Sequence, residues 1–285
     1  MLHRQSLGNL VKRISNSRMD MMKNPVIRSL VAHRSIRKFK AQRITPEVLD
    51  LILRAGIRAA TAGNLQLYSL VVVDDRERQK ALQREMVAKG VFGDEIQLDV
   101  PIEIIALVDQ YRLRRWFEVS NCAPVCNNRA LNLFQGLSDA TIVLQTIVIA
   151  AESLGLGTCY VGGIQSVDIQ RLLHAPEHVF PAGMICVGYP DESPGLRVRL
   201  PLEAVVHRNA YRVLTDDEIR TVYREREAVW ETLKEEFKAR LRKENIYSIP
   251  QAVAAQRYSK QVVVGRSKGI VENLAGAKFV LTQEA

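Results

Sequence analysis

The chain has 285 residues, 47% hydrophobic and 25% charged, a balance that fits one or two globular domains and excludes wholesale disorder or a collagen-like repeat. Four cysteines are too few for a disulfide framework, and the apolar run around Ala140–Ala151 is shorter than the ~18–20 residues of a bilayer crossing, so no membrane span is expected. The net charge of +9 sits entirely at the front: residues 1–43 hold eleven basic residues and one acid, Asp20, whereas residues 44–285 sum to −1. A neutral body disfavours an evenly basic surface, and no nucleic-acid partner is expected.

Residues 1–30 are rich in Arg and Ser and place Leu7, Leu10, Val11 and Ile14 on one helical face, the pattern of a mitochondrial transit peptide. A frayed basic extension, or a later start at Met19, Met21 or Met22, stays open beside it. Residues 1–27 are therefore set apart from a domain over 28–285. The protein is placed in the cytoplasm, or in the mitochondrion if residues 1–30 are a targeting peptide. A first helix is expected over 25–35. Thr45-Pro46-Glu47 opens the next, with a Thr cap, Pro at the first position and an acid in the first turn. Leu67–Val73 is a β-branched run that reads as a buried strand, followed by a helix over 76–89 and a strand over 102–108. Residues 110–136 read as an irregular excursion. Ser138 and Asp139 are read as the cap of a helix to Leu154 that is apolar nearly all round, and so is buried at a domain centre or a subunit interface. Strands at 157–164 and 182–188 flank a short helix at 166–174. Thr215 and Glu218 form a capping box opening one long charged helix over 216–244, a solvated arm, and a last helix spans 259–275. Strands and helices alternate without a strict βαβ rhythm, which predicts an α+β fold.

Most candidate motifs fail on their own chemistry. His174 and His178 have the spacing of a metal pair, but Pro176 breaks the helix that would align them, and no metal site is expected. Cys122 and Cys126 lack the spacing of zinc or redox motifs, and Cys159 and Cys186 lie in apolar strands as inert thiols. Gly155-Leu156-Gly157 runs helix to strand, the wrong way for a dinucleotide loop. No nucleophile elbow and no acid–base dyad is present, so catalytic chemistry would have to come from a bound cofactor.

His33-Arg34-Ser35-Ile36-Arg37 is different. Two guanidiniums, an imidazole and a hydroxyl within five residues suit a phosphate, although a solvated basic turn has the same composition. Arg197 and Arg199 alternate in an extended segment, so their side chains share a side and could close on the same anion. Thr61, Asn64 and Gln66 could satisfy a polar ring edge, and Gly162-Gly163 permits close backbone approach to a flat ligand.

Four segments, HRSIRKF, TAGNLQLYS, AAESLGLGTCYVGGI and CVGYPDESPGLRVRLPLEAVVH, occur in this order and together resemble the FMN-dependent nitroreductase family, nearest its NADPH-dependent nitroreductase and flavin reductase branch. The resemblance covers about residues 28–212. It implies a mixed sheet flanked by helices, an interlocked homodimer with FMN at the subunit interface, and a C-terminal helical arm. It implies that His33, Arg34 and Ser35 hold the FMN phosphate and ribityl chain, completed by Arg197 and Arg199. It places Arg37 near N1 and O2 of the ring, Asn64 and Gln66 at the polar edge, and the backbone of Val161, Gly162 and Gly163 near N5. Reduced flavin carries negative charge near N1, so a cation at Arg37 favours reduction. The implied reaction is ping-pong: NADPH or NADH delivers hydride, then a nitroaromatic, quinone or free flavin takes two electrons. Two departures stand out. Ala62-Gly63 replaces consecutive serines, and Arg197-Val198-Arg199 replaces Lys-Pro-Arg. Arg257 is the one guess for the nicotinamide phosphate. Reductive dehalogenation or a flavin-consuming reaction on the same fold, and a basic-tailed interaction protein, remain as alternatives.

Overall fold

The computed structural model describes residues 24–88, 99–122 and 128–281. The targeting pattern falls on residues outside that set. The described chain divides into two compact units, one of residues up to Gly195 together with Gly269–Ala285, the other Leu196–Lys268.

The first unit begins with α1 (Pro25–Ala32). Asn24 caps it, its Oδ1 accepting from the backbone N–H of Val26 at 2.9 Å and Ile27 at 3.2 Å. Helix α2 (Pro46–Gly56) starts at Thr45 as its sequence predicts. Then come β1 (Tyr68–Val73), α3 (Arg76–Ala88) and β2 (Ile102–Asp109). Where an irregular excursion was expected, α4 (Tyr111–Val119) forms, its first turn served by Asp109 Oδ1, which accepts from the N–H of Arg112 at 3.0 Å. Helix α5 runs Ala130–Ser153, so Ser138 and Asp139 are interior residues and not its cap. It is followed by β3 (Gly157–Val161), α6 (Val167–Leu172) and β4 (Val179–Gly188).

The strands form one sheet in the order β1-β2-β4-β3, with every neighbouring pair antiparallel. The mixed character expected of the sheet is confined to an isolated parallel bridge, Ser35 to Thr158, outside β3. Helix α5 packs on one face. Its Ala140, Val143, Leu144, Ile147, Val148 and Ala151 are buried with Ile104, Ala106, Ile185 and Val187 of the central strands. At Gly136 a Cβ would lie 2.5 Å from Val108 Cγ1 and 3.1 Å from the Leu67 carbonyl oxygen, so glycine is what lets the helix approach the sheet here. Helix α5 has the length and apolarity to cross a membrane, but its buried side is the core of this unit. Elsewhere along it, in the single chain, Leu131, Phe134 and Ile142 are 67%, 68% and 43% exposed.

The opposite face of the sheet buries Val73, Cys159, Cys186 and Met184 with Leu82, Met86 and Ile169 of the covering helices. One acid intrudes there. Glu103 is fully buried, accepts from Gln83 Nε2 at 3.0 Å, and leaves Oε2 without a partner. Burial pushes its pKa up from 4.5 to about 7, against the smaller opposing effects of the Gln83 bond and the Arg76 charge. The unfolded chain loses this proton near pH 4.5 and the folded chain near pH 7, so stability falls as pH rises through that window and levels off above it. The full drop is at most ~3 kcal/mol. Glu103→Gln should abolish this slope, measured as the difference between variant and wild-type urea midpoints from pH 5 to pH 8.

The second unit is helical. It contains α7 (Leu202–Val205), α8 (Asp216–Ala228), a 3₁₀ turn at Val229–Thr232, α9 (Glu235–Lys243) and α10 (Ile249–Arg257). Helix α11 (Lys260–Gly276) begins in it. The capping box holds: Thr215 Oγ1 accepts from the Glu218 N–H, and Glu218 Oε2 accepts from the Thr215 N–H. The single helix expected over 216–244 is in three pieces. Val229, Trp230 and Thr232 are poor helix formers, and the Thr232 hydroxyl donates to the Val229 carbonyl, which competes with helix continuation.

Candidate functional site

The segment His33–Arg37 leaves the end of α1 and runs outside β3. Ser35 bridges Thr158, and the Ile36 N–H donates to the Thr158 carbonyl at 2.8 Å. The segment is fixed by acids that local sequence does not announce. His33 Nδ1 is 2.7 Å from Glu152 Oε1 on α5; the carboxylate accepts, so Nδ1 is the donor and the ring's orientation is fixed. The Thr158 hydroxyl donates to the same oxygen at 2.7 Å. Glu192 Oε1 accepts from the backbone N–H of Arg37 at 2.5 Å and of Lys38 at 3.1 Å. Arg34 closes the strip: Nε donates to the Ala32 carbonyl at 3.2 Å, and Nη1 donates to Ser193 Oγ at 3.3 Å and the Pro194 carbonyl at 3.2 Å. A groove of about 610 Å³ opens along it, lined by Arg28, Ser29, Arg34, Glu152 and Ser193 among others. Arg37 is exposed; burial pushes the nearby Cys159 thiol up, and the Arg37 charge opposes that shift while Glu192 adds to it.

Val161, Gly162 and Gly163 end the same edge strand. A Cβ on Gly162 would meet nothing within 4 Å, and Gly163 has φ +74°, a conformation that favours glycine. His33, Arg34, Ser35 and Arg37 therefore lie along one sheet edge with this open stretch of backbone.

Thr61, Asn64 and Gln66 do not join them within one chain. Their loop precedes β1, on the opposite edge of the sheet. Four strand spacings, ~19 Å, separate that edge from Ser35. The loop is strained by design, with Gly63, Asn64 and Gln66 at φ 55°, 56° and 52°. Asp139 pins both its ends: Oδ1 accepts from the Ala62 N–H at 2.9 Å and Oδ2 from the Leu67 N–H at 3.1 Å. Asp139 and Glu152 are the only charged residues of α5. They anchor the two loops ~20 Å apart along its axis. Two acids in an otherwise apolar helix were the signal for both anchors. Arg197 and Arg199 belong to the second unit, where Arg199 Nη1 donates to the Arg197 carbonyl at 3.4 Å. His174 and His178 lie beyond the end of α6, both at positive φ.

The nitroreductase family profile matches residues 30–125 and 127–189, and the chain belongs to that family. FMN reductase (NADPH) of Bacillus subtilis is 33% identical over 204 residues, which are 68% of this chain and 77% of that protein. Nitroreductase A from Vibrio parahaemolyticus matches with a TM-score of 0.73 at 27% identity, over 89% of this chain and 97% of that one. NADPH:FMN oxidoreductase from Vibrio harveyi, complexed with NAD+, matches with a TM-score of 0.66 at 26% identity, over 87% and 98%.

Proposed function

We propose that this protein is an FMN-dependent oxidoreductase that takes electrons from NADPH or NADH and passes them, two at a time, to a nitroaromatic, a quinone or free flavin. Family membership and the FMN- and NADPH-using relatives support that chemistry. The observation that carries it to this chain is the strip His33–Arg37 fixed beside open backbone at Gly162. Bound FMN would supply reversible hydride acceptance, which no side chain here can. The donor set suits its charge: Arg34, Ser35 and His33 offer fork, hydroxyl and imidazole to a phosphate. Arg37 presents a cation to the ring edge where negative charge collects. A cation held ~4 Å from that edge interacts at about 4 kcal/mol at an effective dielectric of 20, before desolvation and screening. The exposed backbone at Gly162 and Gly163, next to Val161, lets the ring lie against the strand end. The family resemblance also assigns Arg197 and Arg199 to the FMN phosphate, and on that ground we assign them to it in this chain.

The protein acts as a homodimer in this proposal. The ~19 Å between the β1 edge and the Ser35 strip is too wide for both to address one ring, and a second copy brings Thr61, Asn64 and Gln66 to the flavin held by the first. The exposed Leu131, Phe134 and Ile142 on α5 supply the apolar surface for that pairing. The cytoplasm is the assigned compartment.

The test is an absorption spectrum of the purified protein, an anaerobic titration with NADPH and then NADH, and sedimentation. A yellow two-chain species, bleached by one equivalent of NADPH per flavin and recoloured by a quinone, is expected. A colourless protein that takes up no FMN overturns the proposal.

A further inference from the structure

A polar row crosses the sheet on the face away from α5. Glu103 of β2 is directly opposite Cys186 of β4, and Cys186 is directly opposite Cys159 of β3. Opposed residues on an antiparallel pair share a face, with Cα atoms ~4.5–5.5 Å apart, inside the ~4.4–6.8 Å that a disulfide spans. Both cysteines are free thiols buried in one cluster. They differ in surroundings. Cys186 is fully enclosed, and Glu103 with its unpartnered Oε2 lies to one side. Cys159 is on the edge strand, 5% exposed, with the Arg37 charge nearby. A disulfide also needs Cβ atoms about 3.8 Å apart. An edge strand with one full partner can close that gap more easily than a central one.

We propose that Cys159 and Cys186 form a reversible cross-strand thiol–disulfide pair, oxidised by peroxide, with Glu103 accepting the Cys186 proton. Cys159 is the first sulfur attacked, because it is on the edge strand and 5% exposed, whereas Cys186 is fully enclosed; burial holds both thiols up, and the Arg37 cation offsets this only in part at Cys159, against Glu192. Hydrogen peroxide transfers one oxygen to it, giving a sulfenic acid and one water. Cys186 then attacks that sulfur; the S–S bond forms as the S–O bond breaks. Its proton passes to the Glu103 carboxylate; the hydroxide departs on the opposite, edge side of Cys159, takes a proton from solvent and leaves as a second water. Two thiols and one peroxide thus give one disulfide and two waters. With its pKa near 7, Glu103 is ionised in a large share of molecules at neutral pH and can take that proton. Burial of both thiols, which raises their pKa values, makes closure slow; the pair responds to sustained peroxide and not to brief exposure. The bond would staple β3 to β4 two residues before Val161, fixing the strand end at Val161–Gly163. None of this depends on the flavin assignment.

The test uses the full chain carrying Cys122→Ser and Cys126→Ser, so that two cysteines remain of four. The native protein is treated with hydrogen peroxide, quenched, denatured and tagged with a maleimide, and its mass is read. The expected result is two tags before treatment, none after, a loss of two hydrogens, and recovery of both tags with dithiothreitol. Glu103→Gln should reach the same end point several-fold more slowly. Two tags persisting through treatment overturn the proposal, as do tags lost without recovery or chains joined to one another. An unchanged rate in Glu103→Gln overturns the role given to that carboxylate.

Discussion

Arg34→Ala should weaken FMN binding about 10–150-fold, read by titrating the apoprotein with FMN and following quenching of flavin fluorescence. A charge-assisted hydrogen bond contributes about 1.5–3 kcal/mol, and each 1.4 kcal/mol is tenfold in Kd. Arg34 also holds Ser193 and Pro194, next to the Glu192 that fixes the Arg37 and Lys38 amides. Its loss would therefore loosen the strip as well as remove a phosphate partner. Two further variants separate these effects. Ser193→Ala removes one 3.3 Å contact and should change Kd less than threefold. Arg34→Lys keeps the charge but loses the fork, and should fall between wild type and alanine. An unchanged Kd in Arg34→Ala would remove the phosphate assignment.

The local elements of the first unit are legible because their signals are local. Thr45-Pro46-Glu47 starts α2 where capping chemistry says it must. The β-branched run of β1 and the apolar runs of β2 and β4 end up as strands. The errors arise where a tertiary bond overrides a local rule. Ser138-Asp139 is a good cap by composition, but the Asp139 carboxylate is engaged by a loop more than seventy residues earlier, which leaves the helix free to extend back to Ala130. Helix α4 has no side-chain cap of its own from Gln110, and it borrows Asp109 from the end of β2. In the second unit Ser248 caps α10, accepting from the Gln251 N–H at 3.4 Å. That signal was present in the sequence, with Pro250 behind it.

The site divides along the same line. The phosphate chemistry proposed for His33–Arg37 comes from residue types alone, since a phosphate needs little more than forks and hydroxyls close together. Its position does not, because strand order decides it. Nothing in the residues of β1 or β3 says that they take opposite edges of the sheet, and this is what separates Gln66 from Arg37. The acids that hold the site, Glu152 and Glu192, act across more than a hundred residues of sequence. A short-range pattern therefore cannot single them out, although the isolation of Glu152 in an apolar helix could have.

Asp139→Ala should be the most destabilising single change near the site, costing about 2–5 kcal/mol, read from the urea midpoint at constant m-value. The carboxylate is 2% exposed and accepts the N–H of both Ala62 and Leu67. Leu67 is itself buried, so water cannot readily replace the lost acceptor there, and an unsatisfied buried donor costs roughly 1–3 kcal/mol. Asp139→Asn retains one acceptor oxygen and turns the other into a donor that faces an N–H, so it should recover less than half of the loss. The loop pays further, since Gly63, Asn64 and Gln66 hold positive φ only while its ends are pinned. In the proposed dimer this loop would serve the flavin of the other copy. Asp139→Asn should therefore lower turnover with a quinone more than it lowers FMN affinity, whereas Arg34→Ala does the reverse. Equal losses of affinity and turnover in both variants would place the two loops at one end of the ligand and refute the two-edge arrangement.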